Sequence, residues 1–90
     1  MVRLTSYHVR WEYETDVPGR WAEMDFETQD LLEDTFQWNP AGERTVHYGN
    51  YLSYDFNLKE MYQARYEGCR ATRFQNIRRF QTIILQRSTH

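Results

Sequence analysis

Apolar and polar residues along this chain change their period several times, and each change predicts an element. Tyr7, Val9, Trp11 and Tyr13 alternate with His8, Arg10 and Glu12, the period-two pattern of a half-buried strand. Asp16-Val17-Pro18-Gly19 then supplies a turn. Beyond it, Trp21, Glu23 and Asp25 alternate with Ala22, Met24 and Phe26, which predicts a second strand antiparallel to the first. With Met24 and Phe26 on the core side, Trp21 points the other way. Between Thr28 and Trp38 the period lengthens, and Leu31, Leu32, Thr35 and Phe36 fall on one helical stripe. Thr28 is the expected N-cap, Asp30 and Glu33 lie near the positive end of the helix dipole, and Asn39-Pro40 stops the helix.

The remainder reads as strand. Thr45–Tyr48 and Tyr51–Tyr54 flank Gly49-Asn50, a two-residue hairpin signal. Leu58–Gln63 is compatible with a single helical turn. From Arg70 to Arg79 the alternation returns, with Arg73, Gln75 and Ile77 on one face and Thr72, Phe74 and Asn76 on the other. A last β-branched run, Thr82–Leu85, is also strand-like. No repeat, low-complexity tract or linker interrupts the pattern. Ninety residues suit one domain. The expectation over 1–90 is an α+β domain with a curved antiparallel sheet wrapped around one helix.

Composition and charge narrow the function. Aromatic residues make up 17 % of the chain, with seven Tyr, five Phe and three Trp, a surplus that favours strands and recognition surfaces. No apolar run approaches the roughly 20 residues of a membrane span. Met1–Thr5 lacks the apolar stretch of a signal peptide, and the single cysteine, Cys69, has no partner in the chain for a disulfide. A reducing compartment, nuclear or cytoplasmic, is the expectation. The net charge of −2 conceals an acidic first half and a basic second half. An acidic protein is a poor general binder of duplex DNA, whose affinity comes from neutralising many phosphates. A basic half can still hold a small phosphate-bearing ligand.

Catalytic and metal chemistry find no support in the spacing. His8, His47 and His90 are far apart, no base neighbours a nucleophile, and metal-ligand spacings such as HxH, HExxH and CxxC do not occur. Phosphate-cradling glycine motifs are lacking too, and no cofactor is expected. Cys69 reads as a small packing residue, and the acid pairs Glu12/Glu14 and Glu33/Asp34 as solvated charge. What stands out is aromatic, basic and amide side chains together. Trp11, Tyr13, Trp21 and Tyr54 offer ring faces or phenol hydroxyls, with core packing as the simpler role for Trp11. Gln63 can read an adenine edge with two hydrogen bonds, and Arg73, Arg78, Arg79 and Arg87 can meet phosphates. These residues alone leave open a nucleotide pocket or a single-stranded RNA surface.

The order Trp11-Glu12-Tyr13-Glu14, Gly19-Arg20-Trp21, Leu32-Glu33-Asp34-Thr35-Phe36, Asn39-Pro40-Ala41-Gly42, Tyr54-Asp55-Phe56, Met61-Tyr62-Gln63 and Ile77-Arg78-Arg79 resembles the WWE domain. The two tryptophans and the glutamate that name that domain correspond to Trp11, Trp21 and Glu33. The likeness spans about residues 7–82, and Phe36–Gly42 looks most like copies in poly(ADP-ribose) polymerase family members.

The resemblance implies a half-barrel of about six strands around one helix and a non-catalytic module. Its ligand would be a terminal ADP-ribose or the iso-ADP-ribose link of poly(ADP-ribose), and its partners ADP-ribosylated proteins. Such modules accompany ADP-ribosyltransferases and ubiquitin ligases. Tyr13 and Trp21 match ring positions at the pocket mouth, Tyr54 a pocket tyrosine, and Gln63 the glutamine that reads adenine. Where the family pattern places a phosphate-binding basic residue, this chain has Gln75. Arg73 lies one alternation earlier on the same predicted face and is the candidate for that role. The chain also departs at Ala64-Arg65, where many members carry Asn two positions after the Gln, and the stretch from Gln63 to Ile77 is longer than usual. A protein-interaction module that binds no nucleotide, or a single-stranded RNA binder, is the alternative.

Overall fold

The computed structural model describes the backbone of residues 2–87 and the side chains of residues 8–82. One antiparallel sheet contains all six strands: β1 (Val2–Glu14), β2 (Trp21–Glu23), β3 (Glu43–Tyr48), β4 (Leu52–Asn57), β5 (Tyr62–Glu67) and β6 (Arg70–Arg87). Their order across the sheet is β2-β1-β6-β5-β4-β3. The sheet curves, and the single helix α1 (Phe26–Trp38) packs in its concavity against β1 and β3. The α+β architecture expected from the residue pattern is the one observed.

Period two decides which side chains face inward. Val9, Trp11 and Tyr13 of β1 turn toward the helix, and Ile77, directly across from Tyr13, does the same. Trp11 and Leu32 are fully buried, with Met24, Phe56, Leu58 and Ile77 around them. Phe36 meets the Trp11 ring edge-to-face, their centroids 5.8 Å apart.

The helix starts one turn earlier than the residue pattern predicts. Asp25, not Thr28, is the N-cap: its carboxylate accepts from the Thr28 backbone N–H at 3.1 Å and the Thr28 hydroxyl at 2.8 Å. A carboxylate at the positive end of a helix caps with charge as well as with a hydrogen bond. The second strand therefore stops at Glu23, and Phe26, expected in the core, opens the helix at 84 % exposure. The buried helix positions are Thr28, Gln29 and Leu32 rather than the predicted stripe from Leu31. Gln29 replaces the ladder where β2 ends. Its Oε1 accepts from the Trp11 N–H at 2.9 Å, its Nε2 donates to the Met24 carbonyl at 2.6 Å, and Met24 N–H donates to the Trp11 carbonyl. A buried amide satisfied at both ends locks the helix to β1.

Two more elements differ from expectation. Leu58–Gln63 is not a helical turn: Leu58–Met61 is a tight loop, and Gln63 lies in β5. Met61 closes the loop in the left-handed region at φ 57°, and its carbonyl accepts from Ile77 N–H at 3.0 Å. The β3–β4 hairpin turns on Gly49–Tyr51, because Tyr48 pairs with Leu52. Its tip meets the β5–β6 turn, where Gly68 N–H donates to the Tyr51 carbonyl. Gly68 has φ 66°, and a Cβ there would lie 3.2 Å from the Tyr51 ring. Arg70–Arg79 and Thr82–Leu85, separate in the residue pattern, belong to one long strand.

Candidate functional site

The register of β4, β5 and β6 lays two rows of side chains across the concave face. One runs Tyr54, Arg65, Arg73; the other runs Phe56, Gln63, Gln75. Both rows line a cleft of about 480 Å³, closed by Tyr13 from β1, Tyr48 from β3, and Asp25 and Thr28 at the start of the helix. That volume falls within the range of small-ligand sites. The β5–β6 register shifts once, between Arg65 and Tyr66. From Arg73 onward the register is unbroken, so Arg73, Gln75 and Ile77 keep one face, as their alternation predicts.

Five of the residues singled out by sequence, Tyr13, Tyr54, Gln63, Arg73 and Gln75, line this cleft. Gln63 is only 5 % exposed. Its Nε2 donates to Gln75 Oε1 at 2.8 Å, and Gln75 Nε2 donates to the Glu14 carbonyl at 3.1 Å. Gln75 thus holds the Gln63 amide in one orientation. Tyr54 stacks on Phe56 at 6.2 Å between centroids and meets Tyr48 edge-to-face at 5.7 Å. At the helix start, the Tyr48 hydroxyl lies 2.6 Å from the Thr28 hydroxyl and 3.4 Å from Asp25 Oδ1. Burial pushes the Tyr48 phenol above its ordinary range, and the Asp25 carboxylate adds to the shift. Burial pushes the Asp25 carboxyl up, but the two bonds from Thr28 outweigh it and the net displacement is downward.

Trp21, expected at the cleft mouth, is on the other side of the sheet. It pairs with Glu14, and alternation sends both away from Tyr13. Its ring lies 4.1 Å from the Arg78 guanidinium, which also stands 4.4 Å from Phe80 and donates to Glu12 at 2.8 Å. Arg78 is therefore not in the cleft. Arg79, the next residue, faces inward but is bound twice by Glu33, at 2.8 Å from Nε and 2.8 Å from Nη2, and caps the Phe36 ring at 4.4 Å. Glu33 also accepts from the Trp11 indole at 3.0 Å. The bonds from Arg79 hold the Glu33 carboxyl at about 2, against the opposing effect of burial. Glu12, expected as solvated charge, and Glu33, expected as charge at the helix start, are thus bound to arginines. The side chain of Arg87 lies outside the described residues, as does His90. Cys69, expected to pack, is exposed.

Sequence reasoning misses the role of Arg65. This side chain follows Gln63 by two positions, on the same face of β5, and lines the cleft. The signal is ordinary alternation, hidden because Leu58–Gln63 is compatible with a helical turn. Among the described residues, no group of His, Cys, Asp and Glu is placed to hold a metal, and no helix is long and apolar enough to cross a membrane.

A scan against protein-family models matches the WWE domain over residues 9–79. Comparison with curated proteins and with solved structures returns no match.

Proposed function

Because the chain belongs to the WWE domain family, whose members are interaction modules rather than catalysts, we propose that its cleft binds ADP-ribose units. The observation that carries the reading is convergence. Tyr13, Tyr54, Gln63, Arg73 and Gln75 come from four strands and meet around one space of nucleotide size. In this reading Gln63 exchanges two hydrogen bonds with the adenine edge, its amide held by Gln75. The Tyr54–Phe56 stack walls the base, and the Tyr13 and Tyr48 hydroxyls meet ribose. Arg73, whose only acid contact is Asp16 at 3.5 Å among described residues, supplies positive charge for phosphate. Trp21 takes no part, since it faces away.

In a longer protein such a module would carry an ADP-ribosyltransferase or a ubiquitin ligase to ADP-ribosylated partners in the nucleus or cytoplasm. Support for that step is membership of the WWE domain family. The test is a titration with ADP-ribose, iso-ADP-ribose and ATP, followed through amide chemical shifts. Shifts that saturate at Tyr54, Gln63 and Arg73 are expected. Ligand-induced shifts confined to other residues, or none with any of the three, would overturn the assignment.

A further inference from the structure

The clearest unused chemistry in the molecule is at Arg65. Its Nε is buried and has no hydrogen-bond partner. The nearest acid, Glu67 Oε2, is 3.9 Å away, beyond hydrogen-bond reach. A buried donor left unmade is costly and rare in native proteins. Arg65 also stands directly across from Arg73 on the neighbouring strand. Like charges in that position repel, and the carboxylates near them are at long range, Glu67 at 3.9 Å from Arg65 and Asp16 at 3.5 Å from Arg73. Elsewhere the same sheet handles arginine differently: Arg78 and Arg79 each hold a glutamate at 2.8 Å.

We propose that Arg65 is the principal anion anchor of the cleft and works with Arg73 as a clamp for two adjacent phosphate groups. The proposal rests on the reading of the cleft as a nucleotide site and deepens it, assigning specificity to a residue outside the resemblance. Arg65 and Gln63 share a strand face two positions apart, about 7 Å along β5. That spacing leaves a ribose between a base read at Gln63 and phosphates held at Arg65. The cross-strand pair then presents two guanidiniums side by side, which suits a diphosphate better than a single phosphate. The Arg65 side chain lines the cleft and keeps about a third of its surface exposed, so it is the terminal nitrogens of its guanidinium, not the buried Nε, that meet the phosphate oxygens. Gln75, across from Gln63, is neutral, and Arg65 and Arg73 in the next row supply the charge.

The experiment compares the wild type with Arg65→Gln and Arg65→Lys, using inorganic pyrophosphate, ADP-ribose and adenosine as probes and amide shifts as the readout. Wild-type pyrophosphate binding should centre on Arg65 and Arg73. Arg65→Gln should weaken pyrophosphate and ADP-ribose by about tenfold or more, the scale of a charge-assisted hydrogen bond, and leave adenosine unaffected. Arg65→Lys keeps the charge but lacks the planar fork of guanidinium donors, and should recover only part of the loss. If Arg65→Gln does not fold, Arg65→Lys carries the comparison. Wild-type affinity for ADP-ribose in a folded Arg65 variant overturns the clamp and leaves the nucleotide reading standing. Pyrophosphate binding that depends on Arg65, with ADP-ribose bound no more tightly, supports the clamp and overturns the nucleotide reading. No shift at the cleft with either phosphate probe overturns both.

Discussion

Arg79 and Arg65 face the same side of one sheet and differ in what meets them. Arg79 has a carboxylate on two of its nitrogens and an aromatic ring beneath it, and its partner Glu33 also ties down Trp11. Arg65 has no hydrogen-bond acceptor at its buried Nε, and another arginine opposite. The first arrangement is closed: each of the three guanidinium nitrogens donates to a group of the protein, so it holds the helix on the sheet. The second is open, and an open cationic site in a cleft is where binding free energy remains to be gained. Residue type does not separate structural from binding arginines. The partners already present do.

The largest effect should come from breaking the closed region at its centre. Trp11→Ala removes a fully buried ring and leaves Glu33 one donor short, and should cost about 3–5 kcal/mol of stability. Urea denaturation checks this, and an unchanged midpoint would detach Trp11 from the core. Glu33→Gln is the next step down, costing about 1.5–3 kcal/mol through weakened charge-assisted bonds to Arg79. It carries a pH signature. Glu33 titrates near 2 when folded, against an ordinary 4.5, so its contribution is complete above about pH 5 and is lost as pH falls toward 2. The gap between wild type and Glu33→Gln should shrink over that window in thermal melts. A gap that stays constant would mean the ion pair does not stabilise the fold.

On the open side, Gln63→Ala should leave folding largely intact and weaken ADP-ribose by roughly 1–3 kcal/mol, the discrimination of a good bidentate contact. Calorimetry with equal affinities for variant and wild type would remove Gln63 from the site. The smallest effect belongs to Trp21→Ala. Losing a half-buried cation–π contact with Arg78 should cost about 1 kcal/mol of stability while ADP-ribose affinity stays unchanged. A clear loss of affinity would show that Trp21 reaches the ligand despite facing the opposite side of the sheet.

Part of this design is legible in the residue pattern. The alternation at Tyr7–Tyr13 and Arg70–Arg79 locates β1 and β6 and places Arg73 and Gln75 together on one face. Where local signals compete, reading by residue type fails. Asp25 and Thr28 are both good N-caps, and only the fold shows the Asp25 carboxylate taking both Thr28 donors while Tyr48 approaches from β3. Leu58–Gln63 has no clear period, so β5 and the orientation of Arg65 stay hidden. Gln29 looks like an ordinary polar helix residue, although it completes the hydrogen bonding of β1 where β2 runs out.

The sequence by itself determined the strands with clean alternation, the presence of one helix, the aromatic and amide residues available for a site, and the likeness to the WWE family. Those follow from period, turn chemistry and residue type, which act over a few neighbours. Tertiary structure decided which carboxylates are paired, what Trp21 packs against, and which arginines lack a close acid. The braces depend on partners far apart in the chain, Glu33 with Arg79 and Glu12 with Arg78, while Arg65 meets Arg73 across a hairpin whose register shifts just beyond them. A charge becomes a brace or a binding group only when folding brings an opposite charge to it or leaves it without one.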